Sequence, residues 1–581
     1  MTTDRIPHAR PGRRLPSLWG EGGLFAFSGV DGPTCAASGV VATLGARRWS
    51  LLLHTPVRRL LDFGGPAMES LWPDVVTGDV LLAEGLSVTW PAWDTVAGEL
   101  PEGAKPTLTA EGGRLVVATT PSPGQTRQVS TDQDGVLVLR TKGRRFALSY
   151  GPDEATAARR AEEGLACDLS TLIAQRLAWF DRVPAVGPVG DTIDAADAAR
   201  LAAKLASVMK VNTLGPEGPF GTRWSTPDRV PHRDLWLWDS AFHSFGMNHL
   251  DAELAWEFLS ATLDTQLDDG LIPHQTGPTG WHSDITQPPV LAWAVWENHL
   301  TTGNTDRVRR ALPQLLDYLK WDRDHRDRNG NGLLEWAPTG QHAGCESGLD
   351  NSPRFDRGPV DAVDFNVFYV HDLRYVARLA ERVGDDRIGA EATRMAAAAA
   401  ALLHEHLWND ELGTYADRDA ATGAFSPTRA VSDFFPLLLD DLPAGRARRL
   451  LAWLDDPARF ASADPIPSVS LADPAWGTDM WRGASWINTN YFVALGLRRH
   501  GFAERAAKLE ADTLRIVADG VDRFGVTFEF YDAAGQTAPI DLDRKGPRRR
   551  PYDLRNKMDS IRDYHWTAAL SLDLLLRREA P

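Results

Sequence analysis

Cysteine is scarce in this sequence. Only Cys35, Cys167 and Cys345 occur among 581 residues, far apart and in no CxxC or other metal-ligand spacing, which excludes a disulfide framework and a zinc ribbon. Such usage fits a reducing compartment. No run of about 18 apolar residues appears, so a membrane-spanning helix is not expected. The basic start "MTTDRIPHARPGRRLPSLWG" lacks the apolar stretch of a secretory signal, and the expectation is a cytoplasmic protein. Positive charge is also short. Lys and Arg number 62 against 78 Asp and Glu, a net charge of −16, which argues against a nucleic-acid or membrane partner. The single basic run, "RKGPRRR" at 544–550, reads as a solvated loop. No GxGxxG, GxxxxGK[ST], GxSxG or HExxH occurs, so nucleotide, serine-hydrolase and zinc-protease chemistry lack support. The histidines His232, His243, His274, His282, His342 and His565 read as packing or hydrogen-bonding residues rather than ligands.

Tyrosine is sparse too, with 9 Tyr against 21 Trp. Indole offers a broad apolar face with a hydrogen-bonding edge, which suits sugars, although a Trp-rich helical core explains the same count. Up to about residue 150, short apolar runs such as "SLLLHTPV", "DVLLAEGLSVTW" and "GVLVLRTKGRRFALSYG" alternate with turn signals, predicting an antiparallel β-sandwich. Helical spacing begins at 153. The expected organisation is a sandwich over 1–150, a helical linker over 151–190 and a helical unit over 191–581. Helices are predicted at 192–211, 251–267, 288–301, 306–325, 361–383, 387–408, 440–454, 486–501, 502–518 and 559–577. That number exceeds a simple bundle and suits an (α/α)6 barrel, a ring of helix hairpins with binding residues in its loops.

The loops between these helices mix carboxylates with Trp and Gly. They are "HRDLWLWDSAFH" (232–243), "DDGLIPHQTGPTGWHSDITQPP" (268–289), the long 327–356 segment, "WGTDMWRGASWINTNYF" (476–492), "TFEFYDAAGQ" (527–536) and "DYHWTAAL" (563–570). Glycosidic hydrolysis needs this inventory: one acid to protonate the leaving oxygen, a second carboxylate as base or nucleophile, and aromatic faces against the ring. Asp350 is a candidate acid and equally an N-cap or Asx-turn residue. Glu529, between Phe528 and Phe530, sits either on the outer face of a strand or in a partly dry pocket.

"WLWDSAFH", "ESGLDNSPRFD", "MWRGASWINTNYF" and "FEFYDAAG", in that order, resemble the signature loops of glycoside hydrolase family 63 and its trehalase-like relatives. The resemblance runs from about residue 190 to the C-terminus and implies an (α/α)6 barrel and an inverting mechanism. It makes Asp350 the general acid, with Glu346 and Arg354 as its orienting shell, and Glu529 the general base. It makes Trp238, Asp239, Gln287, Trp481, Arg482, Gly483 and Trp486 the sugar-binding lining, and Trp236 and Trp566 in the aromatic loops are further substrate-binding candidates. An acid that stays protonated near neutral pH is expected to have a raised pKa.

The expected activity is an exo-acting α-glucosidase on an α-linked glucoside or short oligosaccharide. Mannosyl- or glucosylglycerate hydrolysis is the alternative, and a glycerate carboxylate would call for Arg482, Arg354 or Arg233. Trehalase is weaker, because "STPDRVPHRD" precedes "WLWD" and the Gln-Trp-Asp signature is missing. A non-catalytic sugar-binding barrel and a phosphorolytic enzyme are the remaining readings. No cofactor is required for the chemistry, and the partner is a small carbohydrate. Asp327, Asn329 and Asn331 followed by Gly332 match the start of a calcium loop, but Pro338 stands where its bidentate Glu belongs. An Asn-Gly turn without metal fits the same residues.

Overall fold

The computed structural model describes residues 22–577 except 45–48, 55–57, 65–72, 110–116, 123–124, 133, 338–344 and 546–558. His342, Pro338 and the end of the basic run therefore lie outside the described residues.

The first part of the chain forms two antiparallel sheets. β1 (Leu24–Ala26), β2 (Val41–Leu44), β3 (Ser50–Leu53), β4 (Arg59–Asp62) and β9 (Thr107–Thr109) lie in that order in one. The other has the order β10 (Val117–Ser122), β11 (Gln125–Asp132), β12 (Gly135–Lys142), β13 (Arg145–Gly151), β8 (Thr95–Glu99), β7 (Leu86–Ala92), β6 (Val80–Ala83) and β5 (Pro73–Val76). Phe25, Leu51 and Leu61 from the first share one buried cluster with Val88, Trp90, Leu137 and Phe146 from the second, so the sheets pack face to face. Residues 153–183, which read as one helix, form two. α1 (Glu154–Ala166) and α2 (Leu169–Ala178) break at Asp168, whose carboxylate caps Ser170 and Thr171 and starts the second helix afresh. α1 lays Ala157 and Ala161 on Val136 and Val138 of β12, so this stretch covers the sheet.

Ten of the remaining helices were legible from period and composition: α3 (Ala195–Val211), α5 (Ala252–Leu263), α6 (Leu291–Thr302), α7 (Thr305–Arg326), α8 (Val363–Val383), α9 (Asp386–His406), α10 (Arg446–Leu454), α11 (Ile487–Arg499), α12 (Ala503–Phe524) and α13 (His565–Arg577). Residues 232–243, read as loop, instead carry the start of α4 (Leu237–Met247). Every residue of α4 is buried, so it has no polar face to mark a period. A 3₁₀ segment, Val431–Leu438, interrupted by Pro436 and buried throughout, escaped notice for the same reason.

These elements alternate outside and inside a closed ring. α4 packs on α6, α6 on α8, α8 on the 431–438 segment, that segment on α11, α11 on α13, and α13 back on α4. Around them stand α5 on α4, α7 on α8, α9 on α8, α12 on α11 and α3 on α13. The outer helix α12 is one-faced: it buries Ala506, Leu509, Thr513, Ile516, Val517, Gly520 and Phe524, spaced mostly at three and four residues. The result is the (α/α)6 barrel. Each inner helix turns its N-terminus to the same end of the ring, so the loops entering α4, α6, α8, α11 and α13 meet there.

Candidate active site

Two main-chain hydrogen bonds to side chains tie four of the entry loops in pairs. Trp238 N donates to Gln287 Oε1 at 3.0 Å, joining the loops before α4 and α6. Trp481 N donates to Asn351 Oδ1 at 2.9 Å, joining the loop before α8 to the one before α11. Gly348, at φ +71°, lies so close to Trp238 that a Cβ there would stand 2.3 Å from the indole; only glycine permits this contact. At Gly483 a Cβ would stand 2.2 Å from the carbonyl oxygen of Gly477. Trp481 and Trp486 stack at 3.6 Å, Trp486 meets Trp566 at 5.7 Å, and Trp566 meets Trp238 at 5.5 Å. Trp236 is only half-buried and packs edge-on against His232 and His274.

Glu529 sits in an extended segment. Its N–H donates to Ile561 O at 2.8 Å, and Ser485 exchanges both backbone bonds with Tyr531. The flanking Phe528 and Phe530 are fully buried, and Glu529 itself is 2% exposed, so of its two sequence readings the dry pocket is correct. Arg544 grips it with Nε at 2.8 Å and a terminal nitrogen at 3.0 Å from the two carboxylate oxygens, the bidentate geometry in which a buried ion pair is satisfied. The next residue, Lys545, places Nζ 2.5 Å from Asp350 Oδ2. Consecutive residues thus hold the two acids. Leu542 is buried, and Asp543 N donates to Thr478 O at 3.2 Å, which anchors the segment that carries Arg544 and Lys545.

The solvated-loop expectation for 544–550 therefore fails at Arg544, whose side chain is buried on Glu529, while Lys545 is exposed and also paired. The expected rise in the Asp350 pKa fails with it: burial pushes the carboxyl up, but Lys545 beside it, helped by Arg544 and His274, holds it below the ordinary range. Glu346 and Arg354 are also not where the sequence suggested. Arg354 spans Asp364 (2.7 Å to each oxygen) and Asp417 (2.6 and 3.1 Å), and Glu346 accepts from Arg326 Nε at 2.6 Å. Both brace the loop before α8 through partners other than Asp350. Arg233 donates to the carbonyls of Ala36 and His54 in the sandwich, and Arg482 pairs with the exposed Asp356. Arg354 and Arg233 are thus committed to buried or main-chain partners, while Arg482 is held only by a surface pair.

Asp239 is 2% exposed, and its buried Oδ1 has no hydrogen-bond partner among the described residues. Burial, reinforced by the charges of Glu529, Asp228 and Asp350, pushes its pKa well above the carboxylate range. Trp481 Nε1 and Trp566 Nε1 are likewise buried without partners among the described residues. An unmatched acceptor and two unmatched donors on the loops beside the acids are what a polyhydroxylated ligand would satisfy. Tyr564, which the sequence did not single out, stands buried near Asp239 and Glu529, and burial with those charges raises its pKa well above its usual value.

The 327–335 turn satisfies most of its own groups. Asn329 Nδ2 and Asn331 Nδ2 donate to the two oxygens of Asp361 at 3.0 and 2.8 Å, and Gly332 N donates to Asp327 Oδ2 at 3.0 Å. Asp327 Oδ1 is buried without a partner among the described residues. Among the described residues no three His, Cys, Asp or Glu groups converge as a metal site.

Three of the four described non-glycine residues with positive φ, Met480, Lys545 and Asp563, lie in these loops, where backbone strain tends to be held for function.

The glycoside hydrolase domain family of MGH1-like mannosylglycerate hydrolases matches residues 231–566. A mannosylglycerate hydrolase of Thermus thermophilus is 31% identical over 379 residues, covering 51% of this chain and 88% of the relative. A glucosylglycerate hydrolase of Mycolicibacterium hassiacum is 28% identical over 392 residues, covering 51% and 86%. The crystal structure of a GH63 mannosylglycerate hydrolase from Thermus thermophilus in complex with glucose superimposes with a TM-score of 0.52 at 27% identity, covering 64% of this chain and 98% of that one. The match extends over more than half of the chain and contains the loops that carry Asp350, Glu529, Arg544 and Lys545, so the chain belongs to the MGH1-like glycoside hydrolases of family 63 and its trehalase-like relatives.

Proposed function

We propose that the protein is an inverting, exo-acting α-glycosidase that removes one glucosyl or mannosyl residue from a small, negatively charged aglycone of the glycerate type. The observation that supports this most is the pairing of consecutive cations with the two acids, Arg544 on Glu529 and Lys545 on Asp350. In this reading the carboxylate of Glu529 takes a proton from water, the water oxygen attacks the anomeric carbon, the glycosidic C–O bond breaks, and Asp350 delivers its proton to the leaving oxygen. Arg544 fixes the orientation of Glu529. Asp239 Oδ1, Trp481 Nε1 and Trp566 Nε1 take sugar hydroxyls.

The relatives named for mannosyl- and glucosylglycerate shift the reading from a general α-glucosidase to this narrower substrate class. The test is an NMR time course with glucosylglycerate, mannosylglycerate, trehalose, kojibiose and nigerose. First release of the β-anomer from a glycerate glycoside is expected. Release of the α-anomer would refute inversion, and cleavage confined to the neutral disaccharides would refute the substrate class. Asp350→Asn and Glu529→Gln should each lower kcat at least about 1,000-fold while the sugar still binds.

A further inference from the structure

Arg544 and Lys545 differ in how firmly they are held. Arg544 exposes 7% of its side chain and directs its fork at Glu529. Lys545 exposes 42% of its side chain, rests on Asp350, and keeps its backbone at φ +56°. Its position poses a chemical difficulty, because an ionised Asp350 pinned to an ammonium has no proton to give a leaving group.

We propose that Lys545 is the receptor for the charge of the aglycone, and that its transfer from Asp350 to the substrate carboxylate is what frees Asp350 to become the proton donor. This rests on the reading of Asp350 as the acid and of the substrate as a glycoside of a hydroxy acid.

A proton donor must come within about 3 Å of the glycosidic oxygen. Nζ of Lys545 lies 2.5 Å from Asp350 Oδ2, so with Oδ2 as the donating oxygen it stands at most about 5.5 Å from the glycosidic oxygen. In a 2-O-glycosylglycerate the carboxylate is attached to the carbon that bears this oxygen. A half-exposed lysine can reach either anion by turning its flexible stem. The other charged groups facing Asp350 are Arg544, His274 and Asp239, and Cys345 faces Lys545. Arg544 is committed to Glu529 and stays.

When Lys545 turns, Asp350 loses its nearest cation and acquires a carboxylate as a neighbour. Both changes favour its protonated form. The proton comes from solvent and passes to the leaving oxygen, while Lys545 remains an ammonium throughout. A neutral aglycone offers no competing anion, so Lys545 stays on Asp350. Discrimination then appears in turnover, because the carboxylate assembles the catalytic state instead of only tightening binding.

The experiment compares a 2-O-glycosylglycerate with the matching glycosylglycerol, which keeps the leaving oxygen and lacks the carboxylate. Its kcat and KM are measured across pH for wild type, Lys545→Ala and Lys545→Arg, with melting temperatures to establish folding. The wild type should turn over the glycerate compound at least about 100-fold faster at pH 7, with the neutral compound gaining as pH falls and Asp350 protonates. Lys545→Ala should raise kcat for the neutral compound about tenfold at pH 7, raise KM for the glycerate compound about tenfold, and erase the preference, which Lys545→Arg should restore in part. A preference that survives Lys545→Ala, or that lies in KM alone, would overturn this role and leave the hydrolase reading standing. Cleavage of neutral disaccharides with none of the glycerate compound would overturn both.

Discussion

Replacing Arg354 by Met separates a brace from a binding residue. Its guanidinium and the two carboxylates it joins are almost fully buried, with side-chain exposures of 1% for Arg354, 0% for Asp364 and 3% for Asp417. Met keeps most of the aliphatic volume and removes all four ionic hydrogen bonds, leaving two uncompensated acids in the interior. Breaking one partner of such a site costs about 3–5 kcal/mol. An unfolding entropy of roughly 2.1 cal/mol/K per residue over 581 residues gives about 1.2 kcal/mol per degree, so the melting temperature should fall by about 3–4 °C. Arg354→Lys keeps the charge but not the fork, and should lose roughly half as much. Differential scanning calorimetry measures both, and steady-state kinetics on the surviving protein measures KM. A melting temperature within 1 °C of wild type together with a large rise in KM would refute the structural role and return Arg354 to the substrate.

Asp239→Asn removes a buried acid with an unmatched oxygen, so stability should hold or improve while kcat/KM falls at least about 100-fold; a parallel loss of both would make Asp239 a fold residue. Asp372 accepts from the N–H groups of Ala292 and Trp293, and burial pushes its pKa up to about 7. A raised folded-state value means its stabilisation is complete below the unfolded value near 3.9 and is lost as pH climbs through 7. The difference in urea midpoint between wild type and Asp372→Asn should therefore shift against the wild type from pH 4 to pH 7.5, and a flat difference would contradict the burial argument. For the 327–335 turn we propose structural calcium held by Asp327, Asn329 and Asn331, using the unmatched Asp327 oxygen. Calorimetric heat and a chelator-reversible rise in melting temperature should vanish in Asn331→Ala, and no heat from the wild type would dispose of the metal.

Period made helices such as α9 and α12 legible, because they bury one face and expose the other, and composition carried α11 and α13, which are buried nearly all round. Both signals failed at α4, which is short and buried at every position, and at the 431–438 segment, which Pro436 interrupts. The loops carrying Asp350 and Glu529 were legible through their ordered motifs, and the glycines in them follow from contacts such as Gly348 on Trp238. The partners of those acids were not. Arg354 stands four residues from Asp350 in sequence yet pairs with Asp364 and Asp417, while Arg544 and Lys545 come from a stretch whose charge run looked like solvated surface. A cation's partner depends on where the chain folds back, and local sequence carries no record of it.

The choice of Arg at 544 and Lys at 545 follows from two different demands on neighbouring acids. A base has to remain ionised and keep its direction through the reaction, so a planar fork with two parallel bonds and little freedom suits Glu529. A proton donor must pass between ionised and protonated forms, and a guanidinium fork on Asp350 would release it less readily than a lysine does. A lysine gives one strong contact on a flexible stem and can release it at the cost of a single ion pair. Exchanging the two residues, Arg544→Lys with Lys545→Arg, preserves total charge and position but reverses these properties. The double variant should lose turnover through a loosened base and a more tightly held acid, with less effect on KM, whereas wild-type kcat would show that only the summed charge matters.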